Sequence, residues 1–430
     1  MSETIDTDLV VIGGGFMGLA IAYQASLLGF RSVVLERNRI RGPHYMTGLL
    51  SPRADYMPFD LESAEITAQE CAEWEKMFPD IITPKRFLIP INDRTPYGSL
   101  CFRALMDMYN AKTVQRLGKP FKPESYRVSR QTLEQMEPNL KKGSFREAIA
   151  FHELVVNPDL LLQRMRKHLN SHPTLSRIIS IRDIADYITD GKYIREVSIT
   201  TGEGDQVNLS SRKKALIVIN AAGPWLAEEA KNSDIDLPVE FSLGIQLNLP
   251  ERGFFNSGII TFSEDKKYVI CLPSNGHLQI GPTNTPFTGD PNNLSPNQKD
   301  KEALISAFNE IVQRSVNPSR FELKSAGLRV KLSLSRCPDT NRPFFFRKGY
   351  ENYFIIYPGK TALAMLAARE LLSVAYGARS AKLHSIDGGA ELKLNRHKIW
   401  SARLKSMAIT GICFGRYFVR FLFHKQTPLE

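Results

Sequence analysis

No two of the five cysteines (Cys71, Cys101, Cys271, Cys337 and Cys413) lie close together, so the chain has no C-x-x-C pair. That excludes a zinc ribbon or a dithiol redox motif read from spacing. The odd count, with a short polar N-terminus and no leader pattern, points to reduced thiols in the cytoplasm. The eight histidines are scattered, with no H-E-x-x-H, and no metal site is expected. There is no internal repeat, no low-complexity stretch and no run of about 18 clean apolar residues, which excludes a simple transmembrane helix. Acidic residues are the minority charge: 45 Asp and Glu against 56 Lys and Arg, a formal net charge of +11. This balance favours anionic partners. Without a nucleic-acid motif or a dense basic arm, nucleic acid is not expected among them. An apolar content of 43% and a charged content of 23% are those of a globular protein. At 430 residues the chain exceeds a single simple core, and two domains are expected.

What is present is concentrated between Asp8 and Glu36. Leu9-Val10-Val11-Ile12 is an apolar run suited to a buried parallel strand. Gly13, Gly15 and Gly18 fit G-x-G-x-x-G, a helix-forming run follows as far as Gly29, and Ser32 to Glu36 forms a second strand ending on an acid. Gly13 permits the turn, Gly15 lets a pyrophosphate approach the backbone, and Gly18 lets the helix pack closely on the sheet. The helix N-terminus offers free N–H groups to phosphates. Glu36 can accept from ribose hydroxyls. Strand, glycines, helix, strand and acid in this order predict a dinucleotide site.

Further along, helices are expected over 60–78 (capped by Asp60), 99–117, 129–136, 157–169 (Pro158 in its first turn) and 295–316 (capped by Ser295). Residues 145–156 read as a strand pair or an extended segment. Residues 174–219 read as an antiparallel meander ending in the buried strand Ala215 to Ile219, which runs into Asn220-Ala221-Ala222-Gly223. Residues 239–285 are strand-rich. Tyr353 to Tyr357 is a strand followed by Gly359-Lys360-Thr361 and a helix to Tyr376.

Taken in order, the opening motif, Gly48-Leu49-Leu50 with Tyr56, Val156-Asn157-Pro158-Asp159, Asn220-Ala221-Ala222-Gly223, Gly281-Pro282-Thr283, Gly327-Leu328-Arg329 and Gly359-Lys360-Thr361 resemble one family. The chain resembles FAD-dependent oxidoreductases of the glycine oxidase and D-amino-acid oxidase superfamily. Within it, the chain is most similar to FAD-linked glycerol-3-phosphate dehydrogenases, especially the anaerobic type's large subunit. The resemblance implies an α/β fold: a discontinuous Rossmann-like FAD-binding domain (1–84, 146–238 and 324–380) with an inserted β-rich α+β substrate domain (85–145 and 239–323). A basic, aromatic tail, 381–430, follows.

The resemblance also implies site roles. Gly13, Gly15, Gly18 and Glu36 would hold the ADP half of the cofactor, with Gly14, Phe16, Met17 and Arg37 beside them. Thr47, Gly48 and Leu49 would line the flavin or its ribityl chain. Ile184 would touch adenine through its backbone, and Ala222 and Gly223 would border the dinucleotide. Gly359, Lys360 and Thr361 would sit at the flavin pyrimidine edge, where a cation or helix N-terminus stabilises negative charge. Arg329 would grip the substrate's anionic group, a task its planar guanidinium suits. Candidate bases are Lys360, Tyr56 and Tyr268. The implied reaction is hydride transfer from a CH–OH carbon of a small anionic substrate (glycerol 3-phosphate-like or a 2-hydroxy acid) to flavin, with quinone or oxygen as acceptor. The alternatives are CH–NH chemistry of the D-amino-acid type, or a non-catalytic FAD-binding subunit.

The chain departs from its relatives at Ser51, where they carry histidine, and at Asp55-Tyr56, where they carry arginine before tyrosine; Arg53 stands two residues off that register. Their arginine in the helix after Gly-Lys is absent from Thr361 to Met365. These losses bring a substrate with one anionic group into play. In the tail, 398–425 mixes aromatics with Arg403, Lys405, Arg416, Arg420 and Lys425. It reads either as an interfacial helix on the inner face of an anionic membrane or as a helix packed on the protein.

Overall fold

The computed structural model describes residues 3–37, 47–50, 61–104, 106–107, 125–212, 215–265, 267–274, 276–332, 344–357, 359–377, 384–386 and 389–391. Tyr56, Ser51, Arg53, Asp60 and the expected tail helix at 398–425 lie outside them. Among the described residues no helix is long and apolar enough to cross a membrane.

The N-terminal half supplies β1 (Glu3–Asp6), β2 (Leu9–Ile12), helix α1 (Phe16–Leu27), β3 (Ser32–Glu36), α2 (Leu61–Met77), β4 (Ile82–Ile91), β5 (Tyr126–Ser129), α3 (Arg130–Met136), β6 (Glu147–Val156) and α4 (Pro158–Asn170). The meander β7 (Ser176–Thr189), β8 (Ile194–Thr201) and β9 (Gln206–Ser210) follows, then β10 (Ile217–Asn220) and α5 (Leu226–Lys231). Next come β11 (Val239–Leu249), β12 (Gly258–Phe262), β13 (Tyr268–Ser274), β14 (His277–Gly281), β15 (Thr285–Phe287), α6 (Gln298–Ile311) and β16 (Glu322–Leu332). The last elements are β17 (Phe344–Arg347), β18 (Tyr353–Tyr357), α7 (Ala364–Ala375), β19 (His384–Ile386) and β20 (Gly389–Glu391).

The first sheet has the order β1-β9-β8-β7-β3-β2-β10-β18-β17-β20-β19. Its centre is parallel: β2 pairs β3 on one side and β10 on the other, and β10 pairs β18. Such strands are buried on both faces, so they read as unbroken apolar runs. Alternate residues go opposite ways. Leu9, Val11, Val34, Ile219 and Ile356 join the core formed with α1, α2, α4 and α7. Val10, Ile12, Val33, Leu35, Val218 and Ile355 join a second core with the β7–β9 meander and α5. The chain leaves β2 toward β3 and returns to its other side at β10, so a crevice opens beyond the carboxyl ends of these strands, where open α/β sheets bind ligands.

The second sheet is nine-stranded, β15-β11-β14-β13-β12-β4-β6-β5, with β16 also on β11. Helix α6 covers one face through Leu304, Ala307, Phe308 and Ile311, spaced for one helical side. The other face packs Phe87, Ile89, Phe151, Ile270 and Leu272 with Leu49 and with Phe102 and Met106 from the helical residues at 99–104 and 106–107.

Several boundaries differ from the expectations. Residues 147–156 form one long strand, antiparallel to β4 from Ile82↔Val156 to Ile91↔Glu147. That strand and β16 pair within the second sheet; the expected boundaries at 146 and 324 place both segments in the FAD-binding domain. Helix α6 runs 298–311 rather than 295–316. Its cap is Asn297, whose side chain accepts from the Asp300 amide at 2.7 Å, leaving Ser295 and Pro296 in the loop before it.

Candidate functional site

The turn out of β2 is built by short backbone contacts. Gly13 has φ +105°, and an added Cβ would meet the Ala221 carbonyl oxygen at 2.7 Å. A Cβ on Gly18 would lie 1.8 Å from the Gly13 carbonyl oxygen, so α1 starts as close to β2 as a backbone allows. At Gly15, the residue before α1, an added Cβ would meet nothing within 4 Å: this face of the turn is open. Across the crevice, buried Asn220 holds the second turn. Its Nδ2 donates to the Leu226 carbonyl at 3.0 Å and to the Tyr353 hydroxyl at 3.1 Å, while its Oδ1 accepts from the Ala222 amide at 3.2 Å.

Both turns open into a cavity of about 1170 Å³ that runs between the two sheets. Drug-sized ligands fill roughly 300–1,000 Å³, so this volume suits a dinucleotide with room beside it. Its wall includes Gly13 to Met17, Glu36, Ala222 and Gly223, together with Thr47, Leu49, Gly359, Lys360 and Thr361. Arg329 and Tyr268, from the second sheet, line the same cavity. The structure therefore gathers residues that are up to 348 positions apart in sequence (Gly13 to Thr361) around one space.

Glu36 is the carboxylate held by the glycine turn. Its Oε2 accepts from the Gly14 amide at 2.6 Å. Burial raises its pKa; the Gly14 amide and the nearby Arg166 guanidinium oppose that rise without cancelling it. Arg329, opposite Ser242 in the β11–β16 ladder, donates from Nη1 to the Thr283 carbonyl at 3.1 Å and to Asn284 Oδ1 at 3.2 Å. Lys360 begins the turn between β18 and α7. Trp225 Nε1 donates to Asn292 Oδ1 at 3.0 Å, tying the second turn to the loop before α6.

Four expected site residues sit differently. Gly18 packs α1 closely on the sheet as expected, but it is not on the cavity wall where the ADP half would lie. Gly48 has φ +78° and backs onto β6, its carbonyl accepting from Val156 N at 2.9 Å, so Thr47 and Leu49 face the cavity instead. Ile184 is buried with Val197 and Ile199 in the second core, and Ile181 takes the place on the wall; β7 carries register irregularities at both positions. Arg37 lines the cavity, but its guanidinium is held by Glu228 at 2.5 Å and by buried Glu229 at 2.6 Å. Tyr56 lies outside the described residues. Arg166, Trp225 and Asp300 also line the cavity and were not singled out from sequence. The one local signal for Arg166 is its place one turn after Leu162 in a well-capped helix.

The residues present fit an FAD molecule: an open helix N-terminus for the phosphates, a carboxylate at the end of β3 for the ribose, and a lysine turn on the wall of the same cavity. Comparison with known proteins agrees. A family model described as DAO, FAD dependent oxidoreductase, matches residues 8–371. The alpha-glycerophosphate oxidase of Lactococcus lactis subsp. lactis is 25% identical over 358 residues, 78% of this chain and 56% of that protein. The aerobic glycerol-3-phosphate dehydrogenase of Staphylococcus haemolyticus is 24% identical over 421 residues, 93% of this chain and 70% of that protein. The chain thus spans little more than half the length of the first of these relatives. Among solved structures, the glycerol-3-phosphate dehydrogenase from Bacillus halodurans complexed with FAD aligns with a TM-score of 0.65 at 18% identity, covering 95% of this chain and 73% of that one. Glycine oxidase from Bacillus cereus aligns at 0.63 and 18%, covering 91% and 100%. With a match over most of its length and a cavity built from the matching motifs, this chain belongs to the DAO family of FAD-dependent oxidoreductases.

Proposed function

We propose that the protein oxidises a CH–OH carbon of a small anionic substrate, of the glycerol 3-phosphate or 2-hydroxy-acid class, with oxygen or a quinone as the final acceptor. The observation that carries this reading is the single cavity joining the glycine turn to Arg329 and Lys360. The bound flavin supplies the hydride acceptor. The chain supplies the rest: Gly13 to Gly15 and Glu36 bind the dinucleotide, with Thr47, Leu49, Ala222 and Gly223 along its length. Arg329, oriented by Thr283 and Asn284, takes the substrate's anion in a charge-assisted pair. Lys360, at the start of its turn, offers positive charge where negative charge collects during reduction. Tyr268, on the cavity wall, is the described candidate for receiving the hydroxyl proton. We assign the first sheet with α1, α4 and α7 to the cofactor, and the second sheet with α6 to the substrate. The names of the glycerophosphate relatives support the substrate class.

The test is a visible spectrum of the purified, FAD-reconstituted protein, followed by anaerobic addition of glycerol 3-phosphate, 2-hydroxy acids and amino acids in turn. Bleaching by one of the first two is expected. Bleaching by amino acids alone would replace CH–OH with CH–NH chemistry. A flavin reduced by dithionite but by none of the three would leave a flavin-binding subunit instead.

A further inference from the structure

Five cationic side chains line the cavity among the described residues: Arg37, Arg166, Lys267, Arg329 and Lys360. Arg37 is held between Glu228 and Glu229, and Lys267 pairs with Asp265 at 2.7 Å. Arg329 is oriented by Thr283 and Asn284, and Lys360 opens the turn before α7. Arg166 is the one beside the glycine turn. It comes from α4, which sends Leu161, Leu162, Met165 and Leu169 into the core, while Leu162 also borders the cavity with Arg166 one turn on. Its Nη2 lies 3.4 Å from the Gly14 carbonyl, too long for a strong hydrogen bond. The contact places the guanidinium without consuming it.

The charge balance of this corner requires a cation. A doubly charged diphosphate would arrive beside the Glu36 carboxylate. The N-terminus of α1 offers only about half a unit charge, and its first turn, Phe16 to Leu19, carries no basic side chain to add to it. Left so, the carboxylate and the phosphates repel inside a partly buried space, where screening is weak. We propose that Arg166 is a cofactor-binding residue whose guanidinium compensates the diphosphate charge of FAD beside Glu36. The proposal rests on the FAD reading above and adds to it a side chain outside the glycine motif.

The experiment is FAD titration of apo-protein by flavin fluorescence, at low and moderate salt, for the unsubstituted chain, Arg166→Met and Arg166→Lys. Apo-protein melting serves as the folding control. Arg166→Met is expected to weaken FAD about 10- to 100-fold, the scale of one charge-assisted hydrogen bond, and to flatten the salt dependence. Arg166→Lys should recover most of the affinity. ADP as competitor should lose affinity in Arg166→Met, whereas adenosine, without phosphates, should not. An Arg166→Met protein that binds FAD and ADP like the unsubstituted chain, with the same salt slope, overturns the proposal. If Arg166→Met does not fold, salt-insensitive FAD binding by the unsubstituted chain overturns it equally. Failure of the unsubstituted chain to bind FAD at all would instead remove the FAD reading beneath it.

Discussion

The Glu36 carboxylate accepts the Gly14 amide hydrogen at 2.6 Å, joining the end of β3 to the turn that leaves β2. Burial raises the Glu36 pKa above its usual 4.5. The folded apo-protein therefore takes up a proton at a higher pH than the unfolded chain, and ionised Glu36 costs stability as pH rises from 4.5 through the folded value. Glu36→Gln should leave the apo-protein at least as stable at pH 7 while weakening FAD about tenfold, because a neutral amide binds ribose hydroxyls less strongly. Melting of the apo-protein and FAD titration check both halves. A marked loss of apo-stability at pH 7 would contradict the burial argument.

Glycines in one motif should fail in different ways. Gly18→Ala drives a methyl to 1.8 Å from the Gly13 carbonyl oxygen, and it should cost about 4 kcal/mol or more or prevent folding. Gly15→Ala meets no atom within 4 Å and should cost only about 1 kcal/mol, as a poorer helix cap. Its added carbon occupies the open face of the turn, so FAD binding should fall sharply in a folded protein. Urea unfolding beside FAD titration separates the two behaviours.

Arg329→Met removes the cation of the substrate end but leaves its strand pairing unchanged. Dithionite should still bleach the bound flavin fully. Anaerobic bleaching by the best anionic substrate should slow about 100-fold at subsaturating concentration, about the loss of a bidentate charged contact. Unchanged substrate reduction would dismiss Arg329 as the anion site.

Buried Trp74 donates from Nε1 to the Ala362 carbonyl at 3.0 Å, supporting the turn that carries Lys360 from below. Trp74→Phe leaves that buried carbonyl without its donor and should cost about 1–3 kcal/mol. The measurement is the denaturant midpoint of the apo-protein. An unaltered midpoint would show that the carbonyl finds another partner.

Arg31 pairs with Asp6 and, at 2.9 Å, with Asp8 beside the first sheet. For Asp6 the Arg31 hydrogen bond is the leading cause of a lowered pKa; for Asp8, burial pushes upward and the Arg31 bonds outweigh it. Both groups therefore add stability that is present above pH 3.8 and is lost as pH falls through their lowered folded values. Arg31→Met should reduce stability at pH 6 and leave it little changed near pH 2, narrowing the difference between the two.

The β2–α1–β3 unit was legible because every cue lies within thirty residues: apolar runs, glycines at fixed offsets and an acid at a strand end. The meander and the Tyr353–Tyr357 strand were legible for the same reason. Helix α6 was found with its start misplaced, since Ser295 and Asn297 are both good caps and only the amide they face decides between them. Residues 145–156 allow a strand pair or one extended segment, since both share one apolar pattern, and only the long pairing with β4 decides for the single strand.

Arg37 shows the limit most clearly. Beside Glu36 in sequence it reads as a cofactor contact, and it does line the cavity, but the sequence does not show that two acids about 190 residues later pair with its guanidinium. Arg166 is the reverse: its place one turn after Leu162 is the one mark it carries in sequence, and only the packing of α4 against the first sheet brings it to the Gly14 carbonyl. The cofactor class and the parallel core follow from neighbouring residues, because glycine conformation and apolar periodicity act over a short stretch of chain. Which charges face the cavity and which are neutralised follows from the folded arrangement, because ion pairing and burial depend on partners that come together only when both sheets have formed.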